Sequence, residues 1–194
     1  MRIAISGTHC SGKTTLVEEF LRAHPDFTHE PEPYEVMVED YGEEFSAVPT
    51  VEDFYRQLEF NVARLRSHQT GERVIFERCP LDFLAYMLAL RQLDRDDDSA
   101  GLIDAARSMA IEAVPRLELI VFLPLDDDTG IEPPEDENPA LRTAMDDQLE
   151  EILADLENEM SGAGPRFLAV QGSTAERRRM IEAAIKDAAE GTPV

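Results

Sequence analysis

The chain has little cysteine, little positive charge and no long hydrophobic run, and each shortage excludes something. Cys10 and Cys79 are its 2 cysteines, too few for a disulfide framework, so both are expected to stay reduced in an intracellular compartment. Lys and Arg together number 18 against 41 Asp and Glu, a net charge of −23. Such a surface repels phosphodiester backbones and anionic lipid, which argues against a nucleic acid polymer or a membrane surface as partner; its ordinary meaning is a well-solvated exterior. No apolar stretch approaches the ~20 residues of a spanning helix, and Met1-Arg2 leads on without the apolar core of a signal peptide. A cytoplasmic location is expected. Nothing resembling a low-complexity linker interrupts the chain, so a single α/β domain over residues 1–194 is expected.

What is present starts at the apolar run Ile3-Ala4-Ile5, followed directly by Gly7-Thr8-His9-Cys10-Ser11-Gly12-Lys13-Thr14. Every fixed position of the phosphate-binding loop G-x-x-x-x-G-K-[ST] is filled. The glycines let the backbone wrap a phosphate, successive N–H groups point inward, and the helix opening near Thr15 presents its positive end to the anion. Lys13 sets a compact charge against the β- and γ-phosphates, and the Thr14 hydroxyl suits one coordination position of Mg²⁺. Nucleoside triphosphate binding by Gly7, His9, Cys10, Ser11, Gly12, Lys13, Thr14 and Thr15 is the expectation.

Strands are expected at 2–6, 27–29, 73–76, 117–123 and 166–170, and helices at 13–23, 50–70, 81–93, about 99–114, about 139–160 and 173–189. The helix from Thr50 rests on Val51, Phe54, Tyr55, Leu58, Val62 and Leu65 at three- and four-residue steps. Pro31 and Pro33 are expected to keep Glu30-Pro31-Glu32-Pro33-Tyr34 extended. Asp94 to Asp98 reads as an exposed turn. The polar, acidic stretch 126–138 is too long for a tight connection and marks a candidate lid, taken with its flanks as 125–145. Alternating strands and helices predict a parallel sheet with helices on both faces and ligands at the carboxyl ends of the strands.

Three further places bear on chemistry. Glu77-Arg78 ends the third strand, where a carboxylate can hold Mg²⁺ through water and an arginine can neutralise phosphate charge or position a substrate hydroxyl. Glu30 and Glu32 follow the second strand, and either could take the proton of a substrate hydroxyl. Arg142 is the one arginine between Leu125 and Met145, where a kinase lid uses such residues to clamp the transferred phosphoryl group. If the first and third strands are neighbours, Cys10 and Cys79 both lie at carboxyl ends of adjacent strands, open to oxidation that would silence the loop or else inert as small buried groups.

The segments Arg2 to His9, Gly12 to Leu16, Glu30-Pro31-Glu32 and Glu77-Arg78-Cys79-Pro80-Leu81-Asp82-Phe83-Leu84-Ala85-Tyr86 together resemble the P-loop nucleoside-kinase-like ATPases. That group includes ribosylnicotinamide kinase domains and proteins labelled only AAA-type ATPases, with thymidylate and deoxynucleoside kinases more distant. The resemblance covers most of the chain and implies a three-layer P-loop fold with a five-stranded parallel sheet of order 2-3-1-4-5. It implies Glu77 as the Mg²⁺-associated acid, Arg78 as its neighbouring arginine, Asp82 as an acceptor-side carboxylate, Glu30 or Glu32 as base, and Gly172-Ser173 as the adenine-side loop. It departs from the deoxynucleoside kinases in its arginine-poor lid.

The expected activity is transfer of the γ-phosphate of Mg²⁺-ATP to a hydroxyl of a small nucleoside-like or nucleotide acceptor, with GTP as donor and a homodimer left open. The alternative is a nucleotide-dependent regulatory module acting on a protein partner.

Overall fold

The computed structural model describes residues 1–94, 99–125, 138–160 and 164–190; residues 95–98 of the turn expected at Asp94 to Asp98 and residues 126–137 of the expected lid lie outside them. Five strands, β1 (Arg2–Ser6), β2 (Thr28–Glu30), β3 (Val74–Glu77), β4 (Leu119–Phe122) and β5 (Arg166–Ala169), form one sheet in the order β2-β3-β1-β4-β5. Every pairing is parallel, with Ile3 opposite both Ile75 and Leu119. The three inner strands are buried along their whole length, which is why they read as unbroken apolar runs, while β2 and β5 at the edges are partly exposed.

The helices among the described residues are α1 (Lys13–Ala23), α2 (Pro33–Glu39), α3 (Val51–Ser67), α4 (Pro80–Asp94), α5 (Ala100–Ala113), α6 (Pro139–Met160) and α7 (Thr174–Ala189). The pleat of the inner strands divides the core. Ile3, Ile5, Ile75 and Val121 point to one face and pack with Leu16, Val17 and Phe20 of α1 and Ile181 of α7. Ala4, Phe76, Ile120 and Phe122 point to the other, under α3, α4, α5 and α6. The result is the three-layer arrangement that the resemblance implies. Helix α4 is buried nearly all round, from Leu81 to Met87, and so carries its polar residues Asp82 and Tyr86 into the interior.

One element overturns its expectation. Pro33 does not prolong an extended segment but occupies the first turn of α2, where a missing N–H costs nothing and a fixed φ suits the helix. Only Glu30 to Glu32 stay extended. Glu32, at φ −55° and ψ 129°, thereby becomes the residue that caps the start of α2. No helix among the described residues is long and apolar enough to cross a membrane.

Candidate active site

Central β1 delivers the chain at Ser6 into the phosphate loop, whose backbone needs its glycines. Gly7 has φ +147°, and a Cβ there would lie 2.6 Å from the Leu123 carbonyl oxygen and 2.9 Å from Ser11 Oγ. Gly12, at φ +89°, caps α1 and turns the chain into it, so the positive end of that helix faces the loop. Cys10 holds φ +54° without being glycine. Three helices grip the loop from outside. From α4, Asp82 Oδ1 accepts from Gly7 N at 3.0 Å and the Tyr86 hydroxyl accepts from His9 N at 3.0 Å. From α6, Arg142 donates to the carbonyls of His9 at 3.0 Å and Cys10 at 3.3 Å. From α7, the buried Arg177 donates to the Ser11 carbonyl at 2.9 Å.

Inside the loop, Lys13 Nζ donates to the Thr8 carbonyl at 2.7 Å. Burial and the neighbouring Arg78 push its pKa down to about 8, against the opposing pull of Glu32, Asp82 and Glu77. The Thr14 hydroxyl donates to Glu77 Oε1 at 2.6 Å. This pair of hard oxygen donors beside the phosphate loop fits Mg²⁺, which takes few protein ligands and completes its shell with water and phosphate oxygens. His29 Nε2 stands 3.9 Å from the other Glu77 oxygen.

Arg78 joins this half to a second one. Its backbone sits at φ +73°, uncommon for a non-glycine residue, and is fixed there by Arg78 N donating to the Ile5 carbonyl at 2.9 Å and by Asn61 Nδ2 donating to the Arg78 carbonyl at 3.3 Å. The turn aims the guanidinium back across the site. Nη1 donates to the Gly7 carbonyl at 3.0 Å and lies 3.5 Å from Asp82, while Nε donates to Glu32 Oε1 at 2.6 Å. Burial alone would raise the Glu32 carboxyl, but Arg78 and then Lys13 overcome it and hold it at about 2.

Glu32, Arg78, His9 and Arg142 line a cavity of about 410 Å³ with Tyr34, Phe45, Phe54, Gln57 and Tyr86. Phe54 stacks on Tyr86 at 4.5 Å between centroids and 5° between planes. The outer wall is the segment 45–49, strapped to α3 by Arg56, which sits 4.9 Å above the Phe45 ring and pairs with Glu43.

Two expected residues stand elsewhere. Glu30 lines a separate cleft, its carboxylate held by Arg64 and by His68 at 2.6 Å. Asp82, expected beside the acceptor, is wholly buried: its second oxygen accepts from Cys79 N at 2.9 Å, so both oxygens serve the loop and the turn after β3. Gly172, at φ +90°, and Ser173 are exposed beyond β5, where Ser173 and Glu176 form a capping box on α7. The two thiols do lie beyond adjacent strands, β1 and β3. Burial and Asp82 push Cys79 well above the ordinary thiol range, which leaves it an inert filler.

Four participants lacked a sequence expectation. Arg177 is hidden in the run Arg177-Arg178-Arg179, which reads as helix surface. Asp53, Gln57 and Asn61 recur every four residues on α3 and are all buried; polar residues set into an apolar stripe are the signal that could have found them.

The fold recurs in solved structures. The deoxyadenosine kinase from M. mycoides with bound dATP superposes with a TM-score of 0.70 at 18% identity, over 96% of this chain and 100% of that one. The thymidylate kinase from Candida albicans gives 0.64 at 15% identity, over 96% and 91%. The NadR protein in complex with NAD and AMP-PNP gives 0.67 at 15%, over 100% of this chain, which spans 50% of that protein. At such identities the likeness establishes the fold alone, a three-layer α/β P-loop arrangement. No curated protein matches the chain. A family model described as an AAA domain matches residues 2–178, and the chain belongs to that AAA domain family.

Proposed function

We propose that the protein is a kinase that transfers the γ-phosphoryl group of ATP to a hydroxyl of a small nucleoside-like or nucleotide acceptor, with the donor in loop 7–14 and the acceptor in the cavity next to it. One observation carries the reading: the Glu32 carboxylate lines the cavity 2.6 Å from an arginine whose other nitrogen reaches the phosphate loop. In this reading donor and acceptor lie on the two sides of one guanidinium. The names deoxyadenosine kinase and thymidylate kinase among the similar structures support the acceptor class.

In this reading Glu32 accepts a hydrogen bond from the acceptor hydroxyl and points its oxygen at the γ-phosphorus. A carboxylate held at about 2 is a weak base, so its first contribution is orientation. In a loose transition state the hydroxyl gives up its proton late, to Glu32, as its oxygen bonds to phosphorus and the bond to the β-phosphate oxygen breaks. Lys13 and Arg78 balance charge on the transferring group, and Arg142 lies within the same wall. Mg²⁺ held through Thr14 and Glu77 would supply further charge neutralisation. Asp82 and Tyr86 keep the loop in register, and Gly172-Ser173 flank the adenine side. An acceptor-sized cavity beside the loop weighs against a purely regulatory nucleotide switch.

Purified protein should be incubated with Mg²⁺-ATP and panels of nucleosides and nucleoside monophosphates, and the products identified by mass spectrometry. A phosphorylated acceptor is the expected result. ATP turnover indifferent to every acceptor, with no phosphorylated product, would sink the reading.

A further inference from the structure

A ring nitrogen on β2, close to the phosphate loop, is left unsatisfied by the fold. Register sets His29 beside Ile75, two residues before Glu77, so His29 and Glu77 project from the same face of the sheet, the face that α1 covers. His29 Nε2 is shielded from solvent and has no hydrogen-bond partner among the described residues. The carboxylate of Glu30, next along β2, is taken up by Arg64 and His68. What Nε2 faces is Glu77 Oε2, at 3.9 Å. That separation is too long for a hydrogen bond and suits a single water between the two atoms. The other Glu77 oxygen accepts from the Thr14 hydroxyl at 2.6 Å. One buried carboxylate thus has Thr14 on one oxygen and His29 just off the other.

An orphaned polar atom destabilises the fold that holds it, and such atoms in native proteins commonly mark the place of a water, an ion or a ligand. A neutral imidazole offers one acceptor nitrogen, and water bound to a divalent cation is polarised into a strong donor. Mg²⁺ dehydrates reluctantly and keeps several waters, so groups that hold its water shell orient it along with its direct ligands.

Resting on the reading of Thr14 and Glu77 as the Mg²⁺ site, we propose that His29 is an outer partner of that cation: its Nε2 and Glu77 Oε2 together hold one water of the shell. His29 is then a positioning residue that acts through Glu77. The cation site extends from α1 and β3 onto β2, outside the phosphate-loop motif.

The test needs neither an acceptor nor turnover. Titration calorimetry of the full chain at pH 8, where an ordinary imidazole of pKa about 6.5 is neutral, gives the affinity for the non-hydrolysable ATP analogue AMP-PNP in Mg²⁺ and in EDTA. The ratio of the two is the cation's contribution. His29→Phe should shrink that ratio by about tenfold or more while the affinity in EDTA holds. His29→Gln, which keeps a polar amide at similar reach, should recover part of it. In a Glu77→Gln background, where the ratio is already small, His29→Phe should change it little. Melting of the metal-free protein separates this role from a structural one: exchanging an orphaned nitrogen for carbon should leave the midpoint unchanged or raised. Should His29→Phe fail to fold, His29→Leu replaces it. A ratio equal in wild type and the folded apolar variant, a lowered midpoint with the ratio unchanged, or a full effect of His29→Phe without Glu77 overturns the inference. The readings fail separately. A wild-type ratio near one removes the Mg²⁺ site at Thr14 and Glu77 and His29's role with it, whereas a large ratio with no phosphorylated product from any acceptor removes the kinase reading alone.

Discussion

The phosphate loop and the cavity beside it meet at Arg78 but are built on opposite plans. Around the loop three of the side chains that hold it are buried: Asp82 is 0% exposed, Lys13 4% and Arg177 4%, each bonded to loop backbone. Around the cavity the outer wall is exposed chain, residues 46–49, fastened by the partly exposed Arg56 on Glu43 and Phe45. Buried charged hydrogen bonds are costly to break, whereas exposed ion pairs and cation–π contacts are each worth about 1 kcal/mol or less. The loop is therefore fixed by folding itself. The cavity wall is held by contacts weak enough to yield to a ligand.

Substitutions that test this contrast can be ordered by expected effect. Glu32→Gln, at the junction, should lower phosphoryl transfer by ~10²–10⁴-fold with little change in ATP affinity, read from steady-state kinetics. The same variant carries a pH signature. Arg78 holds the folded-state carboxyl at about 2, below its ordinary value of 4.5, so the pair stabilises the fold above that ordinary value and the contribution is lost as pH falls towards 2. Urea midpoints of wild type and Glu32→Gln should accordingly converge over that acid range.

Asp82→Asn comes next. It replaces one of two carboxylate acceptors by an amide nitrogen next to Gly7 N or Cys79 N, and should cost roughly 2–3 kcal/mol by denaturant melts and weaken ATP binding. Acceptor affinity should be unchanged. A specific loss of acceptor binding would instead return Asp82 to the acceptor side and erase the division between the halves.

Arg56→Ala releases the strap, and should raise the acceptor KM by about three- to tenfold while kcat and the KM for ATP hold. Glu30→Gln should change transfer least. Its effect falls on stability: although burial works against it, Glu72 and Glu30 raise the His68 pKa above 6.5, so the cluster stabilises below that value and the contribution fades as pH climbs through the raised one. The variant should lose part of that slope, read by thermal melts between about pH 6 and 8.

The two halves also differ in how legible they were. The loop is contiguous, residues 7–14, and its glycines are demanded by local backbone geometry, so a single pattern reveals it. The strands of the inner sheet were legible for a similar reason, since Ile3, Ile75 and Val121 sit in short runs that only two-faced burial explains. The cavity is assembled from positions as distant as His9, Glu32, Gln57, Tyr86 and Arg142, which no spacing rule connects. Pro33 misled because proline forbids the interior of a helix but favours its first turn, and nothing local distinguishes the two cases. Asp82 differs again: its burial sends both oxygens to backbone N–H groups, which the motif around it does not reveal.

The most direct test of the junction is one comparison: phosphorylated product formed from a nucleoside and Mg²⁺-ATP by wild type and by Glu32→Gln, with ATP binding measured on both. If donor and acceptor meet at the Glu32–Arg78 pair, wild type makes product and the variant makes almost none while still binding ATP. Equal product from both, or ATP binding lost along with product, would contradict the account.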